Sequence, residues 1–135
     1  MLEVGVSTAT DITGFGLIGH LSEVLNASKC QARVYSDSVP YFEGAISLAD
    51  AGIVPGGTNT NVKNFEPYVT WGKGIPEVER ILMNDAQTSG GLLIFVPAEK
   101  KDKLINALQK ENILAAHIGD ITDKLFADGK RIHVE

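Results

Sequence analysis

Residues 9–24 read ATDITGFGLIGHLSEV. The stretch sets one carboxylate, Asp11, and two hydroxyls, Thr10 and Thr13, among three glycines at the start of an apolar helix. Gly14 and Gly16 fall just ahead of that helix, where free backbone N–H groups point out of the N-terminus and favour an anion. A carboxylate so close to an anion site makes electrostatic sense when a divalent cation bridges the two. Magnesium takes an octahedral shell of one or two carboxylates, phosphate oxygens and water, so Asp11 alone cannot complete it. The same residues also fit a structural account in which Asp11 or Thr13 caps the helix and the glycines make a tight turn. Local sequence by itself favours that account.

A second glycine motif, QTSGGLL at 87–93, has the same ambiguity. Gly90 and Gly91 either let a phosphate approach the backbone or form a bulge ahead of a buried strand, and the bulge is the simpler reading. His20 and Glu23 stand three residues apart and read as a solvated pair on the exposed helix face. Cys30, beside Lys29 at a helix-to-strand junction, has no flanking His and reads as a small packing residue rather than a nucleophile. Pro55-Gly56-Gly57-Thr58 with Asn59, Asn61 and Asn64 could line a polar cleft, although a plain loop is the account that the composition favours.

These residues need elements to hold them. Leu17, Ile18, Leu21, Val24 and Leu25 recur at the spacing of one helical face, with His20, Ser22, Glu23 and Asn26 opposite. Gln31 to Ser36 alternates as a strand. A helix follows Pro40, with Phe42, Ala45, Ile46 and Ala49 inward and Gly52 as its left-handed stop. IVPGGTNTNVKNFEPYVTWGKGIPE, residues 53–77, predicts a long and mostly irregular segment, of a length that is usually functional or disordered. Pro76 opens a short helix burying Val78, Ile81 and Leu82. Leu92 to Val96 is a strong strand. Residues 98–111 form a charged helix burying Leu104, Ile105 and Leu108. Short strands are expected at 116–121 and 131–134, with Asp128-Gly129 as the turn before the last. Helices alternating with strands predict an α/β or α+β sandwich of one sheet with helices on it.

The chain has 135 residues, 44% hydrophobic, which suits one domain spanning 1–135. A domain of this size buries roughly 65–70% of its unfolded surface. Net charge is −5 and the 12 Lys and Arg residues are scattered apart from Lys100, Lys101 and Lys103, which argues against nucleic acid as a partner. The single cysteine rules out an internal disulfide and suggests a reducing compartment. No apolar run is long enough for a bilayer and the first twenty residues lack a signal-peptide pattern, so no membrane association and a cytoplasmic location are expected.

Taken together, TDITGFGLIGHL, IVPGGTNTN and NDAQTSGGLLIFVP, in this order and spacing, resemble the C-terminal domain of selenophosphate synthetase (selenide, water dikinase) from about residue 9 onward. That family lies within the aminoimidazole ribonucleotide synthetase superfamily, whose other branches usually differ at the Phe15-Gly16 step. The resemblance implies a mixed-sheet α/β sandwich and an enzyme that uses ATP, Mg2+ and selenide to make selenophosphate, AMP and phosphate as a homodimer. It implies that Asp11 helps hold Mg2+ against the ATP phosphates, with Thr13, Gly14 and Gly16 shaping the backbone beside it and Gly90 and Gly91 in register. Ala86 stands where the family commonly has Pro.

The family's reactive Cys or selenocysteine, its Lys and most metal-binding Asp residues lie in an N-terminal domain with no counterpart here, and Cys30 does not match the reactive position. No catalytic residue is therefore assigned, the expected partner is that N-terminal domain, and this chain alone is expected to be inactive. Two alternatives remain at this point: the matching half of a hydrogenase-maturation or thiamine phosphate kinase relative, or a non-catalytic binding or assembly module.

Overall fold

The structure is a computed structural model that describes Met1 and residues 3–135. In chain order the elements are β1 (Thr8–Asp11), α1 (Gly16–Ser28), β2 (Gln31–Val34), α2 (Ala45–Asp50), α3 (Gly56–Phe65), β3 (Val69–Trp71), α4 (Glu77–Met83), β4 (Leu92–Phe95), α5 (Lys101–Lys110), β5 (Gly119–Thr122) and β6 (Ile132–Val134). The mixed α/β class is as the sequence implies, with the strands divided between two sheets. One has four strands in the order β3-β6-β2-β5. Within it β2 pairs β6 and β6 pairs β3 in parallel, while β5 runs antiparallel to β2. The other is an antiparallel ribbon of β1 and β4.

The core forms where the stripe of α1 meets alternate residues of the larger sheet. Leu17, Ile18, Leu21 and Leu25 cluster with Ala32 and Val34 of β2, Ile132 and Val134 of β6, Val69 of β3, Met83 of α4, Leu93 of β4, and Ile12 just past β1. Each large apolar side chain fully withdrawn from water contributes about 1.5–3 kcal/mol. Cys30 packs against this cluster as a half-buried residue, in keeping with its sequence reading.

Several expectations are corrected. The polar side of α1 is not exposed at its N-terminal half: His20 and Ser22 are both buried, and Ser22 Oγ donates to the Ile18 carbonyl at 2.8 Å. The helix after Pro40 begins only at Ala45, because Gly44 turns left-handed ahead of it (φ +81°), and Phe42 is left 86% exposed. Strand β4 is not fully buried. Leu93 faces the core while Leu92 lies at the surface, because among the described residues β4 pairs with β1 alone. In α4 and α5 the residues expected inside are half-buried, apart from Leu104, and Met83 is the fully covered residue of α4.

The largest correction concerns 53–77, which is not irregular but contains α3 and β3. Helix α3, GGTNTNVKNF, has poor intrinsic propensity. Pro55 precedes it, and Thr58 N donates to the Pro55 carbonyl at 3.0 Å, closing its first turn. Its inward residues Thr58, Asn61 and Phe65 then hold it through tertiary contacts, two by hydrogen bonds to other segments and one by its ring against Phe15. Propensity is overridden by these partners.

Candidate functional site

The two glycine motifs, some seventy-five residues apart, form one double loop at the end of the ribbon. Asp11 is the last residue of β1 and sits opposite Leu92, the first of β4. Beyond that pair the loops continue to exchange backbone hydrogen bonds: Ile12 N to Gly91 O at 2.9 Å, Gly90 N to Ile12 O at 3.0 Å and Gln87 N to Thr13 O at 3.1 Å. Thr13 O also accepts from Gly16 N at 3.0 Å, which tightens the turn into α1. The register of β1 and β4 therefore brings all six sequence-predicted residues, Asp11, Thr13, Gly14, Gly16, Gly90 and Gly91, to one place.

Within each motif the two glycines have different surroundings. A Cβ on Gly16 would lie 2.7 Å from the Asn84 carbonyl carbon and 2.9 Å from the carbonyl oxygens of Asn84 and Asp85, and its φ is +68°. A Cβ on Gly90 would lie 2.5 Å from the Ile12 carbonyl oxygen. These two are required by the close approach of backbone to backbone. Gly14 and Gly91, in contrast, have open space within 4 Å of any Cβ. The fold does not need them for room, so a group from outside can come close to the chain there.

A polar lattice behind the loops fixes their separation. Asn61 of α3 donates through Nδ2 to Gly14 O at 2.8 Å and Asn84 O at 3.0 Å, tying one loop to the other. Thr58 Oγ1 donates to Asp85 Oδ1 at 2.8 Å and accepts from Ala86 N at 3.1 Å. Asn84 Nδ2 donates to Arg80 O at 2.8 Å, while its buried Oδ1 has no partner among the described residues. Asn84 and Asp85 are the site builders that sequence reasoning missed, and Thr58 and Asn61, read there as possible lining of a polar cleft, brace the loops instead. The signal was present in the asparagines of the 53–77 segment, but only Asn61 turns inward. Asn59 and Asn64 are exposed and line no cleft with it.

Neither Asp11 nor Thr13 caps α1. Its N-cap is Phe15, with no side-chain cap hydrogen bond, so the capping half of the structural account fails, while its other half, a tight turn made by a glycine, is present at Gly16. The Thr13 hydroxyl instead bonds His20 Nε2 at 3.1 Å, and His20 Nδ1 bonds Glu23 Oε2 at 3.1 Å. The His20–Glu23 pair is thus present, but His20 is 9% exposed rather than solvated, with the Phe15 ring 5.6 Å from its own. The Asp11 side chain is exposed and makes no hydrogen bond or ion pair among the described residues, whose only bond at this position is Thr10 Oγ1 to the Asp11 carbonyl.

A free carboxylate at a strand end has the hard oxygen donors that magnesium prefers. Among the described residues no group of three or more His, Cys, Asp and Glu side chains converges, so Asp11 could supply one ligand of a shell and not the shell. Two open grooves, of about 400 and 270 Å³, lie away from the loops, flank α4 and are lined by residues such as Glu66, Glu77 and Ile81. What the double loop can do is present one carboxylate and two open stretches of backbone to a partner surface.

Residues 1–128 match the family described as AIR synthase related protein, C-terminal domain. The chain belongs to this family. Among curated members it is 46% identical over 122 residues to a selenide, water dikinase of Carboxydothermus hydrogenoformans, covering 90% of this chain and 35% of that protein. It is 40% identical over 116 residues to one from Myxococcus xanthus, covering 86% of this chain and 33% of the relative. A third, from Photobacterium profundum, is 44% identical over 119 residues, covering 87% and 34%. The chain thus corresponds to about a third of the length of these relatives, and the AIR synthase related C-terminal fold agrees with the resemblance read from the two glycine motifs. No helix among the described residues is long and apolar enough to cross a membrane.

Proposed function

We propose that this chain is the C-terminal domain of a selenide, water dikinase, in which the double loop forms one wall of a site completed by an N-terminal domain. The observation that carries the reading is Asp11: an exposed carboxylate with no partner among the described residues, held at the end of β1 by the Asp11–Leu92 pairing and the hydrogen bonds just beyond it. The names of the similar proteins support the activity, conversion of ATP, selenide and water to selenophosphate, AMP and phosphate.

In this reading Asp11 is one ligand of Mg2+ and the others come from the N-terminal domain. The ion, when bound, neutralises phosphate charge and orients the transferring group. The chain's own part is positional. Asn61 and the cross-loop hydrogen bonds hold Asp11 and the open backbone at Gly14 and Gly91 in fixed relation, so that phosphate oxygens approach amide donors without displacing the fold. A cytoplasmic homodimer belongs to the same reading, as does the absence of turnover in this chain alone.

Asp11→Asn tests it. Among the described residues the side chain makes no hydrogen bond that the amide would lose, so the melting temperature of the variant chain is expected within about 2 °C of the parent. Joined to an N-terminal domain, the parent should release AMP in a selenide-dependent reaction, and the variant should lose about 100-fold or more at limiting magnesium, because the neutral amide gives up the charge that binds the ion. Normal turnover by Asp11→Asn would make Asp11 a bystander. Absence of selenide dependence in the joined parent protein would remove the dikinase reading itself.

A further inference from the structure

The backbone around Thr13 has little freedom left. Its carbonyl accepts from Gln87 N and Gly16 N, and the preceding residue exchanges two hydrogen bonds with Gly90 and Gly91. Its neighbour Gly14 is held through its carbonyl by Asn61. What remains adjustable is the side chain, and there the Thr13 hydroxyl meets His20 Nε2 at 3.1 Å while His20 Nδ1 meets Glu23 Oε2 at 3.1 Å. An ionised carboxylate only accepts, so Nδ1 must carry a proton toward Glu23. In the neutral imidazole Nε2 is then a bare acceptor, and the Thr13 O–H must donate to it. With its hydrogen committed, the Thr13 oxygen can only accept from any third group.

We propose that His20 is a positioning residue for the ligand loop: anchored by Glu23, it fixes the Thr13 rotamer and makes Thr13 Oγ1 an acceptor, suited to a donor such as a metal-bound water rather than to a bare phosphate oxygen. The inference rests on the reading of this loop as part of a nucleotide–metal site, and it deepens that reading by separating the roles of its residues. Phosphate oxygens belong at backbone N–H groups near Gly14 and Gly91, where there is open space, and the hydrated cation belongs on the side of Asp11 and Thr13. Phe15 also gains a function. Its ring, 5.6 Å from that of His20 and 6.1 Å from that of Phe65, shields the imidazole and limits competition from water for the Thr13 hydrogen bond.

The test begins with the 135-residue chain, using nitrogen-15 imidazole shifts recorded at a pH where His20 is neutral. The expected result is protonated-type Nδ1 and bare Nε2, with Thr13→Val, which keeps the shape and removes the hydroxyl, moving the Nε2 resonance toward that of an unbonded nitrogen. The opposite tautomer, or an Nε2 shift indifferent to Thr13→Val, overturns the proposal whatever the protein's reaction proves to be. In the complete enzyme, Thr13→Val and His20→Ala should each raise KM for magnesium-ATP about five- to tenfold, the size of one hydrogen bond. The double variant should be no worse than either single one, and His20→Gln, whose amide oxygen can take the Thr13 hydrogen, should recover most of the loss. Additive losses, or none, refute the coupling. A parent enzyme without selenide-dependent turnover refutes the dikinase reading and leaves the tautomer result to decide this one.

Discussion

Replacing Gly16 by Ala should strain the double loop and destabilise the chain, whereas the same change two residues earlier should be nearly silent. At Gly16 the left-handed backbone, φ +68°, costs an L-residue about 1 kcal/mol. The added Cβ would lie at 2.7–2.9 Å from the backbone of Asn84 and Asp85, where ordinary contact begins at 3.4 Å, and that backbone cannot give way cheaply. It is held by Asn61 Nδ2 to Asn84 O, by Thr58 Oγ1 to Asp85 Oδ1 and by Ala86 N to Thr58 Oγ1. Stretching one or two of these bonds adds about 1 kcal/mol each, for a total of about 2–3 kcal/mol. At about 3 °C per kcal/mol for a chain of this size, the melting temperature should fall by about 6–9 °C. Gly14 has no atom within 4 Å of a Cβ and no left-handed φ, so Gly14→Ala should stay within about 0.5 kcal/mol of the parent. Thermal melts by circular dichroism, checked by urea titration, measure both. If Gly16→Ala melts within 2 °C of the parent, or Gly14→Ala falls as far as Gly16→Ala, the assignment of one glycine to packing and the other to open approach is wrong.

Other perturbations probe the supports. Asn61→Ala removes the donor shared by the carbonyls of Gly14 and Asn84 and should cost about 2–3 kcal/mol, read as a lower urea midpoint, while Asn59→Ala, at an exposed position of the same helix, should cost less than about 0.5. Acid stability should depend on Asp128. Thr70, then His133 and the Lys130 backbone N–H, hydrogen-bond its carboxylate and hold its pKa down from 3.8 to about 2. Because the folded value lies below the unfolded one, this contribution is present above pH 3.8 and disappears as pH falls through about 2. Asp128→Asn should therefore flatten that part of the stability–pH curve. An unchanged curve between pH 4 and 2 would show that the turn does not use the charge.

The elements legible in the sequence are those whose own residues carry the signal. Helix α1 announces itself through the spacing of Leu17, Ile18, Leu21 and Leu25, and Gly52 and Asp128-Gly129 mark turns that the structure makes, with Gly52 and Gly129 both left-handed. Strand β1 carried no such signal. Its four residues, TATD, are small or polar and mostly exposed, and they are a strand only because β4 lies beside them. Helix α3 was hidden for a related reason: Gly56, Gly57 and three asparagines speak for a loop, and the partners that overrule them, Gly14, Asn84 and Asp85, are remote in sequence. The site divides in the same way. The glycine motifs were visible as motifs, but their joining into one double loop depends on the pairing of β1 with β4, and periodicity within either segment says nothing about which strand it will meet.

That pairing also explains why the site tolerates so much backbone freedom at its edge. A two-stranded ribbon is marginal alone in water, and here its inner side is anchored by Ile12 and Leu93 in the main core while its loop end is braced by α3 through Asn61. Gly16 and Gly90 are consumed in that bracing, since each lets two backbone segments touch. Gly14 and Gly91 are not, and the Asp11 carboxylate between the loops is likewise unspent. The stabilising contacts all lie on the protein side of the double loop, so the groups left over are those able to meet a ligand without costing the fold a hydrogen bond. A change at Gly14, Gly91 or Asp11 should accordingly separate activity from stability, whereas a change at Gly16, Gly90 or Asn61 cannot.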